Sequence, residues 1–171
     1  MKPRISLREA LSDPNLLGRS LAGDSWKAWR TLLIAAMGEE LRDDERAIFT
    51  KLTGREREPL RPVEEFVAVV GRRGGKRRAL ATFAAYISGL AEHPSLVPGE
   101  RGVVLCIAPD TRQASIALEY CAAVFEQSPI FANLDHRANH GHAFAEQPRG
   151  HRGEGRKLSS AERTDLRGRH R

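Results

Sequence analysis

Residues 71–77 read GRRGGKR, between the apolar run FVAVV and the helix-like pattern RALATFAAY. An apolar strand, a glycine turn and a lysine at the head of a helix together make a phosphate cradle. Gly71, Gly74 and Gly75 open backbone dihedrals closed to other residues and keep Cβ atoms away from an incoming phosphate. Consecutive amides then converge on phosphate oxygens, and the following helix adds favourable potential at its N-terminus. Lys76 reaches the outer phosphates as a point charge, with Arg72 and Arg73 beside it. Two features depart from the phosphate-loop pattern G-x-x-x-x-G-K-[ST]. Val70 stands where the first glycine belongs, and Arg77 stands where Ser or Thr belongs. That hydroxyl normally ligates Mg²⁺ bridging the terminal phosphates. A guanidinium has donors and no acceptor, so it cannot replace the ligand. Arg77 is expected to substitute partly for the ion in nucleotide binding, with hydrolysis badly impaired. The competing reading of the same residues is a tight basic turn.

Three unlike stretches must position this loop. Residues 1–62 read as a helical lead-in. SWKAWRTLLIAAMG sets Trp26, Trp29, Leu32, Leu33 and Ala36 at helical steps, with Gly38 as a stop. DDERAIFTKLTG has an acidic start and closes on Gly54. Pro59 and Pro62 mark a connector. Residues 63–131 read as strand, loop, helix, strand, helix. FVAVV and VVLCIAP are the expected buried strands, joined by a right-handed crossover into a parallel pair. Ala79, Leu80, Phe83, Ala84, Ile87 and Leu90 form the expected apolar stripe of the first helix. Ile116, Ala117, Tyr120, Cys121 and Val124 form that of the second, capped by Asp110 or Thr111. The expected fold class is therefore α/β, a partial phosphate-loop domain with a parallel sheet behind a helical segment. Such a two-strand sheet leaves much of its apolar stripe uncovered, so a chain that never folds stably is a further possibility.

Composition narrows the partners. Apolar residues make up 40 % and charged residues 29 % of the 171, as in globular domains. The net charge of +6 favours polyanions without choosing among nucleic acid, nucleotide and anionic surface. Cys106 and Cys121 are the only cysteines, and they read as buried thiols of a reducing compartment rather than a disulfide framework or zinc site. No run reaches membrane-spanning length and no signal segment opens the chain, so the cytoplasm of a bacterial host is the expected location.

WKAWRTLLIAAMG, VAVVGRRGGK and GVVLCIAPDTRQASIALEY, in this order, resemble the N-terminal ATPase region of tailed-phage terminase large subunits, the motors that package viral DNA. The likeness covers residues 1–131, and terminases share the departure at Val70. It implies a RecA-like phosphate-loop NTPase using ATP with Mg²⁺. It also implies Lys76 as the loop lysine, and Arg72 or Arg73 as the basic residue stabilising transition-state charge. Lys76 and Arg73 would be the catalytic pair, within a nucleotide site of Gly71, Arg72, Arg73, Gly74, Gly75, Lys76 and Arg77. Family partners would be duplex DNA, a small terminase subunit and the portal ring. The chain departs from the family at Arg77, in lacking the strand that ends in Asp-Glu, and in lacking a nuclease domain.

From Asp135 onward the composition changes. There is no Val, Ile, Met, Trp or Tyr, and five of the six histidines lie here. Such a stretch buries too little apolar surface to offset its ordering entropy, so 132–171 is expected to be a basic, disordered tail. His136, His140 and His142 form an incidental cluster rather than a metal site, and no metal ligands are assigned. The tail also has the composition of a shifted reading frame. Read one nucleotide later, Arg codons give Val, Ala, Gly, Asp or Glu, and His codons give Ile, Met or Thr. One back-translation of KLSSAERTDLRGRH gives SFRRLRGPTYVAVI, which resembles the terminase segment leading into the acidic pair. The leading reading is thus a truncated terminase large subunit that keeps weak nucleotide affinity and no useful ATPase. The alternative is a small basic protein that binds nucleic acid nonspecifically without catalysis.

Overall fold

A computed structural model describes residues 2–3, 5–97, 99–100 and 102–131. The expected tail and its histidines lie outside these residues. The described chain is built of helices: α1 (Leu7–Ser12), a 3-10 turn (Asp24–Trp26) running into α2 (Lys27–Ala36), α3 (Asp43–Thr53), α4 (Lys76–Gly89) and α5 (Thr111–Gln127).

Local sequence explains most of these boundaries. Ser6 and Glu9 close a capping box at the head of α1, with Ser6 Oγ accepting the Glu9 amide at 3.1 Å and the Ser6 amide reaching Glu9 Oε2 at 3.0 Å. Glu39 accepts the next two amides, from Leu7 at 2.5 Å and Arg8 at 3.1 Å, which ties α1 to the end of α2. Helix α2 stops where Gly38 turns left-handed at φ 69°. The Arg61 backbone lies directly against Gly38, so no side chain fits there. The Val63 amide donates to Ala36 O at 2.8 Å, fixing the return of the connector. Helix α3 carries Asp43, Asp44 and Glu45 in its first turn and ends at Gly54, φ 71°.

The core joins the lead-in to α4. Leu7, Leu17, Leu21 and Leu33 are buried together with Ala79, Ala85 and Tyr86. The Tyr86 hydroxyl donates to Ile5 O at 2.8 Å, and burial pushes its ionisation well above the usual phenol range. Helix α4 packs most extensively on α5, whose C-terminal end is held by Ser128 Oγ donating to Asn15 O at 2.8 Å.

The expected α/β architecture is not formed. Among the described residues the only ladder is an antiparallel pairing of Lys2–Pro3 with Ala91–Glu92. FVAVV and VVLCIAP pair with nothing, and most of their side chains face solvent: Val67 is 77 % exposed, Val69 102 %, Leu105 76 % and Ile107 86 %. The crossover and parallel sheet behind the loop are therefore corrected to a helical assembly. Two parallel strands cover too little surface to hold both faces dry. The helices instead bury their stripes on one another, α4 chiefly on α5, within a core shared with the lead-in. The stripe of α4 is turned accordingly: Ala79, Ala81, Thr82, Ala85 and Tyr86 are buried, and Leu80 is half exposed.

One carboxylate pins the connector. Glu58 accepts the Leu41 amide at 2.8 Å and Arg46 Nη2 at 2.9 Å, and its side chain is only 9 % exposed. The Arg46 guanidinium holds its carboxyl at about 2, against an ordinary 4.5. A depressed folded-state value stabilises the fold above the ordinary value and is lost as pH falls toward 2. Urea denaturation followed by circular dichroism should show stability falling from pH 5 to pH 2. Glu58→Gln should be less stable at neutral pH and show a flatter acid limb; an unchanged limb contradicts this role.

Candidate phosphate-binding loop

Helix α4 sets the loop. Its N-cap is Gly75 in the left-handed region, φ 76°, with no side chain to cap the helix. The first intrahelical bond runs from the Ala79 amide to Gly75 O at 3.1 Å. The amides of Lys76, Arg77 and Arg78 precede it and point out of the helix end. Residues 71–74 form a turn closed by the Gly74 amide on Gly71 O at 3.3 Å. Arg73 sits at φ 61°, the only positive φ outside glycine among the described residues. Left-handed Arg73 and Gly75 flank Gly74, an alternation that can turn amides toward one side as in an anion nest.

The loop is held from below by two tryptophans of the lead-in. Trp29 Nε1 donates to Gly74 O at 2.7 Å. The Trp26 ring lies against Gly75 so closely that a Cβ there would be 2.7 Å from it. Arg78 stacks over Trp26 with its guanidinium carbon 5.2 Å from the ring centroid, and donates to Arg19 O at 3.1 Å. Trp29 is buried, and its indole N–H also carries a specific bond to the loop.

The seven expected site residues thus sit together at one helix end. Arg72, Arg73, Lys76 and Arg77 are all exposed. Their charges and the three open amides belong to the same loop and helix end, a donor set that suits a phosphate group. Asp110 is the N-cap of α5. Its carboxyl lies below the ordinary carboxylate range, first through the Gln113 side-chain amide, which donates to it at 2.7 Å, then through the Gln113 backbone amide at 2.8 Å, and to a smaller extent through the charge of Arg77. Asp110 is thereby engaged in capping and is no free metal ligand. The donor set at the loop, arginines and a lysine, does not fit the Mg²⁺ that the terminase resemblance implies. Among the described residues no group of three His, Cys, Asp or Glu side chains is placed to hold a metal.

Arg78, Arg19 and the two tryptophans are the positioning residues that sequence spacing did not assign. Trp26 and Trp29 fall on one side of a helix, but nothing in that spacing says what they touch 45 residues later. Cys106 and Cys121 are free and half-buried, and burial with the neighbouring Cys106 pushes the Cys121 thiol up to about 11. It is a poor nucleophile and takes no part in the site. No helix among the described residues is long and apolar enough to cross a membrane. Comparison with protein-family models, curated proteins and solved structures gives no match.

Trp29→Phe removes one indole hydrogen bond and should cost about 0.5–1.5 kcal/mol in urea denaturation. Amide exchange at Gly74–Arg77 should speed up while that in the middle of α2 holds. Equal exchange in both proteins would mean that the indole does not position the loop.

Proposed function

We propose that this chain binds the phosphates of a nucleoside triphosphate at residues 71–77, weakly and without hydrolysing it, as a relative of the tailed-phage terminase large subunit. The observation that carries the reading is the presence of four exposed cations at an uncapped helix end that two tryptophans contact. Lys76 is the principal phosphate ligand. Arg73 and Arg72 add charge from the turn, and Arg77 stands in for part of the charge a magnesium ion would supply. The same residues explain why turnover is not expected. No carboxylate is free at the loop to align a water or hold a metal, and Arg77 repels a dication. The proposed working place is the bacterial cytoplasm, where ATP and phage DNA are both present. A small terminase subunit, the portal ring and duplex DNA would be the partners of the intact motor rather than of this chain.

Trp26 and Trp29 touch the loop, so their emission is a built-in reporter. ATP should shift it saturably, and Lys76→Ala should weaken binding about 10-fold or more, the worth of one charge-assisted hydrogen bond. No phosphate should be released by either protein. ATP turnover that Lys76→Ala abolishes would contradict the proposal. Salt-dependent binding of duplex DNA that ignores Lys76→Ala, with no response to ATP, would favour a basic nucleic-acid-binding protein instead.

A further inference from the structure

We infer that residues 65–71 form a self-association edge, through which two copies of this chain pair as antiparallel strands. The inference goes beyond the phosphate reading and does not depend on it. Phe66–Val70 is a β-branched run that takes part in no helix, turn or ladder among the described residues. The two side chains at its ends face inward, and the three between them, Ala68 included, are exposed. Phe66 and Val70 pack against the core, while Val67 and Val69 face solvent. No backbone hydrogen bond within this run is made to the rest of the described chain. An exposed apolar run with free backbone donors and acceptors is a template for another strand.

The flanking charges point to a second copy as the occupant. The segment reads EEFVAVVGRR, acidic before the run and basic after it. A twofold axis at Ala68 sets Val67 opposite Val69 and Phe66 opposite Val70. It also brings the acidic end of one copy, Glu64 and Glu65, toward the turn of the other that carries Arg72 and Arg73. Each direct pair joins residues on the same face of the strand, as an antiparallel twofold requires. All four charged residues are exposed, and none is in an ion pair among the described residues. The other exposed apolar run, Val103–Ile107, lacks this complementarity. Paired on itself about Leu105, it would set Glu100 against Asp110 and repel.

Sedimentation velocity from micromolar to submillimolar concentration tests the pairing on the whole chain. The wild-type protein should convert from monomer to dimer with rising concentration. The pair Glu64→Arg and Glu65→Arg should hold it monomeric, as should Arg72→Glu with Arg73→Glu. All four changes together should restore the dimer, a recovery that misfolding cannot imitate. A wild-type protein that stays monomeric overturns the inference. So does a dimer or larger species indifferent to these charges, or a four-site variant that fails to recover.

Discussion

The hydrogen bond from Trp29 Nε1 to Gly74 O, at 2.7 Å, with Trp26 packed on Gly75, is the contact on which the remaining architecture turns. It joins the lead-in to the head of α4 across a long stretch of chain. Gly75 is required twice over: its φ of 76° suits glycine, and a Cβ would strike the Trp26 ring. Tyr86 meets Ile5 O, and Ala79 and Ala85 share one buried core with the leucines of the lead-in, while α4 packs chiefly on α5. The loop is left with its helix-end amides and four exposed cations.

This arrangement also accounts for the unformed sheet. A buried parallel strand is stable only when both faces are covered. Here the helices that would cover it spend their apolar faces on one another and on the lead-in. Val67, Val69, Leu105 and Ile107 are left in water. At about 25 cal/mol per Å² of apolar surface, such residues favour any partner that removes them from solvent. The loop is thus displayed on a helical scaffold, with phosphate-binding chemistry available and metal chemistry absent from its donor set.

Local signals in the sequence were legible wherever one residue decides the outcome. Gly38 and Gly54 end α2 and α3, each in the left-handed region. Asp110 caps α5 through the Gln113 amide. The cations of 71–77 meet at one helix end because they are neighbours in the chain. What the sequence did not reveal is which surfaces pair over distance. A β-branched run satisfies the pattern of a buried strand whether or not a sheet forms around it. The stripe drawn on α4 from helical spacing contained Leu80; with α4 packed chiefly on α5, Tyr86 and Thr82 are fully buried and Leu80 is half exposed. The tryptophan spacing was compatible with core packing and gave no sign of the Gly74 carbonyl.

Hydrogen exchange read by mass spectrometry tests the central claim most directly, which is that α2 and α4 hold the fold together without a sheet. The account predicts that the middles of α2 and α4 exchange together, only on global unfolding, while residues 102–108 exchange at the rate of an open chain. Protection of residues 102–108 equal to that of α4 would mean that they lie within a buried sheet, and would contradict the helical assembly described above.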